Sequence, residues 1–354
     1  MSAQGGRGGQ ASIGNLAEVV RLDRQIDAIV LGGPTKYTLE DLAELSGASV
    51  EECQNIMRWI GEPTTRVTER RWTQEDVETI KDVKKFAVSE QVDEANMAAM
   101  LRGLGATMER FALRHVEAII QHLAINENLS DTDARLRGAK FAPSRAEVME
   151  SLMLHVWRRH YAAATHRLTT EALAQRGVHS DDENFPLVRV VGFADLVGFT
   201  SRTESFDTRE FTELIHLFTD TAWDIITVRR GRVINMIGDA VFWVASDVHI
   251  GAEIALALAQ PDALVDGWQV RVGLEWTRVL SAYGDIFGPG VNLAARLTQV
   301  APPGEVFVGP AAALLLSRAS GFTVTEQPAF LAKGIGLVHP AKVTYEEDPK
   351  NYIS

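Results

Sequence analysis

Two aspartates in the C-terminal half have the residue type and the placement that suit metal-ion chemistry. Asp195 follows the apolar, β-branched run 187–193, which is typical of a buried strand. Asp239 belongs to a Gly-Asp pair between the strand-like runs 232–237 and 240–245, a pattern that predicts a tight hairpin. If the hairpin lies beside the first strand, both carboxylates converge at one edge of a sheet. Hard cations such as Mg²⁺ are held by one or two carboxylates together with substrate phosphates. Either aspartate alone would be interpreted as a helix cap or a turn residue.

A second pair of polar residues, Asn292 and Arg296, lies four positions apart in the segment VNLAARL. The segment follows Gly288, Pro289 and Gly290 and is predicted to begin a helix, so both side chains project from one face. An arginine stabilises negative charge that develops on a transferring phosphoryl group, and an amide can orient an attacking hydroxyl. A surface salt bridge is the commoner role of a lone helical arginine. Together with the aspartates, however, the pair indicates chemistry on a polyphosphate held by metal ions.

Three strings carry a family resemblance: VVGFADLVGFT, VINMIGDAVFW and GDIFGPGVNLAARL. In order and spacing they resemble the catalytic domain of class III nucleotide cyclases, over roughly residues 186 to 345. The resemblance implies an α+β fold with a ferredoxin-like sheet flanked by helices, and a head-to-tail homodimer. It also implies that Asp195 and Asp239 of one chain bind two Mg²⁺ or Mn²⁺ ions, while Asp285, Asn292 and Arg296 come from the other chain. The implied reaction converts ATP to 3′,5′-cyclic AMP and pyrophosphate.

Selection of the base is expected to involve Asp285 and Asn235. In adenylyl cyclases of this class a lysine commonly stands three positions before the hairpin glycine and donates to the adenine ring, while an aspartate accepts from the exocyclic amine. Asp285 keeps the accepting group, whereas Asn235 offers a shorter, uncharged donor in place of the lysine. We expect adenine specificity. The asparagine either relaxes that specificity or reflects neutral drift.

Composition places the chain among globular proteins. Of its residues, 46% are apolar and 23% are charged, as is typical of a globular protein. A length of 354 residues is sufficient for two or three domains. The single cysteine, Cys53, excludes intramolecular disulfides and suits a reducing compartment. No apolar run approaches the ~20 residues of a membrane span, and the glycine-rich start lacks the apolar core of a signal peptide. The sequence therefore predicts a cytoplasmic protein without a membrane segment and with a disordered tail over residues 1–14.

Residues 15–175 are predicted to form an all-helical regulatory domain. Thr38 and Thr73 each precede an acid by three residues, which favours a capping-box helix start. Between them, the segments LEDLAELSG and SVEECQNIMRWIG resemble a MerR-like helix-turn-helix. DNA binding is one interpretation and a packing scaffold is the other. The net charge of −12 favours the scaffold, so nucleic acid is not an expected partner.

Two longer helical patterns follow this region, at 89–125 and 144–175. The polar stretch between them predicts a break, with a new helix beginning at Pro143 and Ser144. Residues 176–186 contain a glycine, an acidic run and a proline, and they are the predicted linker. Residues 187–354 are then the predicted catalytic domain.

Histidines are concentrated between the middle of the helical region and the domain boundary at this linker. Histidine changes charge around its ordinary pKa of ~6.5, so a group of them could bias a two-state arrangement. Soluble mycobacterial-type cyclases that resemble this layout use an N-terminal helical domain as a pH-responsive autoinhibitor, which implies relief of inhibition by acid. The alternative is that these are ordinary exposed helix histidines. The six candidates are His115, His122, His155, His160, His166 and His179.

Three functions are therefore considered. The first is a regulated adenylyl cyclase. The second, suggested by Asn235, is a weakly active or inactive cyclase-like domain that binds nucleotide as a regulator. The third is a DNA-binding regulator with a cyclase-like sensor domain. A diguanylate cyclase is excluded because the hairpin reads Ile-Gly-Asp-Ala-Val instead of Gly-Gly-Asp/Glu-Glu-Phe.

Overall fold

A computed structural model describes residues 27–63, 66–175, 187–261, 267–282 and 284–346. The chain divides into two compact units between Thr169 and Thr170. The predicted tail at 1–14 and the predicted linker at 176–186 lie outside the described residues. None of the helices among the described residues is long and apolar enough to cross a membrane.

The N-terminal unit is helical and begins with two short helices. The helices are α1 Leu39–Ser46, α2 Val50–Trp59, α3 Gln74–Ser89, α4 Glu94–Asn126 and α5 Asp131–Gln175, the last of which runs past the division. The core shared by α1, α2, α3 and α4 includes Leu39, Leu42, Cys53, Ile56, Trp72, Val77 and Ile80.

Capping boxes fix the starts of the short helices, as the sequence predicts. Thr38 Oγ1 accepts from the backbone of Asp41 at 3.1 Å, and the Asp41 carboxylate accepts from Thr38 N at 2.9 Å. The same reciprocal pair forms at Thr73 and Asp76. Each box satisfies backbone N–H groups that a helix start leaves without intrahelical partners.

The predicted helix start at Pro143 and Ser144 is wrong, because α5 already begins at Asp131 and passes through Pro143. Ser130 Oγ accepts from the backbone N of Asp133 at 3.2 Å and so caps the earlier start. Ala134, in the first turn, is fully buried in a cluster with residues of α4. Cap and tertiary packing together outweigh the local signal of the proline.

The C-terminal unit is built on a mixed sheet. The strands are β1 Leu187–Leu196, β2 Arg232–Ile237, β3 Ala240–Ala245, β4 Val270–Ala282, β5 Asp285–Phe287, β6 Val306–Val308, β7 Phe322–Glu326, β8 Phe330–Ala332, β9 Gly336–Val338 and β10 Ala341–Tyr345. Their order in the sheet is β2-β3-β1-β4-β6-β10-β7, with β5 paired to the far end of β4, while β8 pairs with β9. The β4–β6 pair is parallel and the other pairs are antiparallel.

Helices cover both faces of this sheet. The larger core includes Phe218, Trp243, Ile254 and Leu274, all fully buried. A second core on the other face includes Val191, Val279 and Ala294. This α+β arrangement confirms the predicted fold. The helices are α6 Phe199–Thr203, α7 Thr208–Val228, α8 Val248–Ala259, α9 Pro289–Val300 and α10 Pro310–Leu316.

Candidate active site

The sheet brings Asp195 and Asp239 to the same end. Near the end of β1, Asp195 lies opposite Ala240, the first residue of β3. The backbone N of Leu196 donates to the carbonyl O of Asp239 at 3.1 Å. Gly238 has a φ of 61°, the left-handed conformation that the tight turn between β2 and β3 requires. The predicted hairpin and its position beside the first strand are therefore confirmed.

Electrostatics at this end of the sheet favour a cation. Burial raises the pKa of Asp239 above its ordinary value, and the negative charge of Asp195 adds to that rise. A backbone hydrogen bond and the positive charge of Arg271 oppose it. Two carboxylates that repel each other in a half-buried place are stabilised by positive charge between them.

Arg271 is a site residue that the sequence does not reveal. It lies opposite Asp195 in the β1–β4 register, and its Nε and Nη2 reach Asp195 Oδ2 at 2.8 and 2.5 Å. Its Nη1 donates to the carbonyl O of Gln299 at 3.2 Å. A charged residue near the start of the run VRVGLEW, which also contains Glu275, is a weak signal by itself. It becomes informative only once the register of β1 and β4 is known.

The donor set at this end fits a hard divalent cation. Among the described residues, no group of three or more His, Cys, Asp or Glu side chains is placed to hold a metal. Asp195 and Asp239 are two carboxylates at one end of the sheet, the number with which Mg²⁺ is commonly held when substrate phosphates complete its shell. A cation that binds Asp195 Oδ2 must replace the guanidinium of Arg271 there.

Asn292 and Arg296 lie one turn apart on α9, as the sequence predicts. Asn292 is exposed. Arg296 is half-buried and its Nη1 donates to Gln299 Oε1 at 2.8 Å. Asp285, the first residue of β5, accepts from the backbone N of Ile286 at 2.7 Å.

Asp285 and the carboxylate pair occupy different ends of β4. Arg271 near the start of β4 pairs with Asp195, whereas Ala282 at its end pairs with Asp285. Arg271 and Ala282 are eleven residues apart on β4, which corresponds to roughly 35 Å of extended chain. A single chain therefore does not bring Asp285 beside its own carboxylate pair.

Asn235 is exposed on β2, opposite Phe242 of β3. The β2–β3 register shifts between Val233 and Asn235. Such a bulge changes the direction in which neighbouring side chains project. The position that departs from the lysine of the family thus coincides with an irregularity of the strand.

The histidine candidates are spread along two helices. His115 and His122 are on α4, and His122 Nδ1 lies 2.9 Å from Asn126 Nδ2. The other described candidates, on α5, are exposed: His155, His160 and His166. The sixth candidate, His179, lies outside the described residues.

Comparison with known proteins identifies the family of the chain. Residues 183–345 match the family of the adenylate and guanylate cyclase catalytic domain. An adenylate cyclase of Glutamicibacter nicotianae is 31% identical over 326 residues, which cover 90% of this chain and 81% of that protein. An adenylate cyclase of Streptomyces coelicolor is 31% identical over 295 residues, covering 83% and 75%. A pH-sensitive adenylate cyclase of Mycobacterium tuberculosis is 34% identical over 146 residues, covering 40% and 36%.

The fold and the family match define a nucleotide cyclase, and the long matches to curated relatives narrow the class further. The chain belongs to the class III adenylyl cyclases. The predicted family, catalytic fold and enzyme class are thereby confirmed.

Proposed function

We propose that the protein converts ATP to 3′,5′-cyclic AMP and pyrophosphate at a site shared by two chains of a head-to-tail homodimer. The position of Asp285 at the opposite end of β4 from Asp195 carries this proposal. A two-fold operation makes the interface reciprocal, so one chain's carboxylate pair can face Asp285, Asn292 and Arg296 of the other. Each chain then contributes two half-sites and no complete site.

In this site Asp195 and Asp239 hold two divalent cations, Mg²⁺ or Mn²⁺. Bound there, the cations lower the pKa of the ribose 3′-hydroxyl and neutralise phosphate charge. The exposed amide of Asn292 orients the ribose, and the guanidinium of Arg296 stabilises the charge that builds at the α-phosphate. The 3′-oxygen forms a bond to the α-phosphorus, and the bond from that phosphorus to the departing pyrophosphate breaks. No side chain becomes covalently attached to the nucleotide.

Asp285 and Asn235 select the base in this proposal. Asp285 accepts a hydrogen bond from the exocyclic amine of adenine, and guanine has a carbonyl at that position. A site that leaves a carboxylate facing a carbonyl oxygen rejects the wrong base strongly. Asn235 donates to the ring through its amide.

Regulation by the N-terminal helices forms the next part of the proposal. We infer that these helices restrain the catalytic domain and that acid relieves the restraint. Support comes from the exposed histidines of α5 and from the name of the pH-sensitive mycobacterial relative. Protonation adds positive charge to the helix, which is the kind of local change that biases a two-state element.

The helix-turn-helix of α1 and α2 serves as a scaffold in this proposal. In DNA-binding proteins of this type, the N-terminal residues of the second helix contact the bases. Here the exposed first turn of α2 carries Glu51 and Glu52, whose charges repel phosphate. Absence of DNA retardation at low salt is the expected result, and sequence-specific retardation would contradict it.

Cyclic nucleotide production by the purified full chain tests the catalytic proposal. ATP and GTP are supplied separately, each with Mg²⁺ or Mn²⁺, from mildly acidic to neutral pH. We expect cyclic AMP from ATP, dependent on the metal, and much less product from GTP. Bound nucleotide without any cyclic product would instead support the nucleotide-binding regulator.

A further inference from the structure

A buried carboxylate on β4 takes no part in the proposed chemistry. Glu275 is 3% exposed and is the one carboxylate among the buried side chains of the described residues. Its Oε1 accepts from the backbone N of Trp276 at 2.7 Å and from the backbone N of Ala312 at 2.9 Å. Buried charge is costly unless such hydrogen bonds are present, so its presence in the core requires an explanation.

The carboxylate acts as the N-terminal cap of α10. Gly309 precedes this helix and provides no side-chain cap, and Pro310 follows it. Backbone N–H groups of Ala311 and Ala312, which lack intrahelical acceptors, bond to Glu275 instead. A Cβ on residue 309 would collide with Glu275 Oε2, so any other residue there would displace the carboxylate. A residue 37 positions away on another element thus closes the start of the helix.

The same face of β4 supports α9. Side chains alternate along a strand, so residues 273, 275 and 277 project to one side. A Cβ on Gly273 would collide with the α9 backbone at Thr298, and a Cβ on Gly290 of α9 would collide with Thr277. Glu275 therefore lies between the two points at which α9 touches β4. Asn292 and Arg296 belong to this helix.

Leu293 connects the carboxylate to α9 more directly. If residue 309 carried a Cβ, that atom would lie 3.2 Å from Leu293 Cδ2, and it would also collide with Glu275 Oε2. The side chains of Leu293 and Glu275 therefore approach the same point beside Gly309. The backbone N of Gly309 donates to the carbonyl O of Leu274 at 3.0 Å. Glu275 thus lies at the junction of β4, α9 and α10. It is close to Leu293, which follows Asn292 in the chain.

Glu275 changes its protonation state near neutral pH. Burial raises the pKa of its carboxyl to about 7, opposed by hydrogen bonds from the backbone N–H groups of Ala312, Trp276 and Ala311. No side-chain charge is among these causes. The charged residues of the elements around it are Arg271 and Arg278 on β4, Arg296 on α9, and Arg189 and Asp195 on neighbouring β1, while α10 and β6 have none.

We propose that Glu275 is a positioning residue for the cyclase reaction, because its carboxylate fixes the junction that holds α9 and protonation loosens it. The inference rests on the proposed roles of Asn292 and Arg296. The surroundings offer N–H donors to the carboxylate oxygens. The ionised carboxylate can accept a hydrogen bond from each of these N–H groups. The protonated carboxyl instead adds one more donor, its own O–H, to a site already rich in donors. Protonation thereby shifts α9 and moves the two substrate-contacting residues out of position.

The contributions of Glu275 to activity and to stability are expected to respond to pH in opposite directions. Because folding raises the pKa of Glu275 from 4.5 to about 7, the folded state binds this proton more tightly than the unfolded state, so stability rises through this group as pH falls from about 7 toward 4.5. The same protonation lowers kcat. A residue that served stability alone would not link a higher melting temperature to a lower kcat.

Glu275→Gln in the full chain is the principal test. The amide has the shape of the carboxylic acid. Like the protonated form of Glu275, it introduces a hydrogen-bond donor where the surrounding backbone N–H groups are also donors. We expect kcat at about pH 8 to fall about tenfold with KM for ATP nearly unchanged, since a misplacement of about 1 Å costs about a hundredfold and a smaller one costs less. We also expect the variant to lose the Glu275 contribution to the pH dependence of both kcat and melting temperature. Glu326→Gln, an exposed glutamate at the end of β7, is the matched control and should follow the wild type.

Infrared difference spectra of the wild type give a readout that does not depend on a variant. A buried carboxylic acid band should appear as pH falls through about 7 and should be absent in Glu275→Gln. A variant that follows the wild type in kcat, melting temperature and infrared band would overturn the inference, as would a wild type without the titrating band. Arg296→Ala is measured in parallel. If that variant keeps wild-type kcat, the proposed site fails; if it is inactive while Glu275→Gln is unaltered, only the role of Glu275 fails.

Discussion

Arg271 holds Asp195 through two N–H groups that both reach one oxygen, with Nη2 2.5 Å and Nε 2.8 Å from Oδ2. The side chains are 30% and 20% exposed, so solvent screens the pair only partly. One guanidinium therefore occupies an oxygen that the proposed metal site requires. The competition between arginine and metal for Asp195 leads directly to the first prediction.

Replacing Arg271 with alanine should weaken the metal-free protein and strengthen its response to metal. We expect a loss of about 1–2 kcal/mol in the free energy of unfolding, between the values of exposed and fully buried ion pairs. Mn²⁺ should then raise the melting temperature more than it does in the wild type, because Asp195 Oδ2 is free and its repulsion with Asp239 is unrelieved. Thermal melts with and without Mn²⁺ measure both effects. Arg278→Ala on the same strand is the control, and an equal metal response in both variants would contradict the account.

Asp239→Asn should remove the metal response while leaving the fold intact. The amide keeps the shape of the side chain and loses the charge that a hard cation requires. Cyclic AMP production should fall at least about a hundredfold, and the Mn²⁺-induced rise in melting temperature should disappear. Asp224→Asn on the exposed surface of α7 serves for comparison. Retention of near-normal, metal-dependent activity by Asp239→Asn would place the metal elsewhere.

Asn235→Lys should keep or improve turnover of ATP. The longer cationic donor restores the group that adenylyl cyclases of this class commonly carry at the position, and Asp285 still accepts from adenine. The measurement is kcat/KM for ATP and GTP in both forms of the protein. Complete loss of ATP activity would show that Asn235 supports a different geometry of the base.

Exchanging His155, His160 and His166 for glutamine should abolish stimulation by acid. These side chains are exposed on α5 and gain charge when protonated. In the wild type, activity should rise from neutral to mildly acidic pH. The triple variant should show no rise and keep only the decline assigned to Glu275. His216→Gln on α7 is the control, and an unchanged pH profile in the triple variant would exclude α5 as the sensor.

Local sequence signals predicted the parts of the fold that depend on neighbours in the chain. The strand runs 232–237 and 240–245 coincide with β2 and β3, because two strand-like runs around a Gly-Asp turn define a hairpin. The capping boxes at Thr38 and Thr73 also depend on residues only three positions apart. Placement of Asp195 beside Asp239 followed once that hairpin was set against β1.

Features that depend on distant residues escaped prediction. Arg271 meets Asp195 across 76 positions, and Glu275 meets Ala312 across 37. Neither contact leaves a periodic or compositional trace, since each arises from strand register and helix packing. The early start of α5 was missed for the same reason, because the burial of Ala134 against α4 is a tertiary effect.

The shared site is the central claim, and complementation tests it most directly. Asp195→Ala and Arg296→Ala chains are prepared separately and then mixed under conditions that exchange subunits, with different affinity tags to confirm heterodimers. Each variant alone should be inactive. In an equal mixture half of the dimers are heterodimers with one intact site of two, so about a quarter of wild-type cyclic AMP production should return. A mixture that stays inactive although heterodimers form would contradict the account.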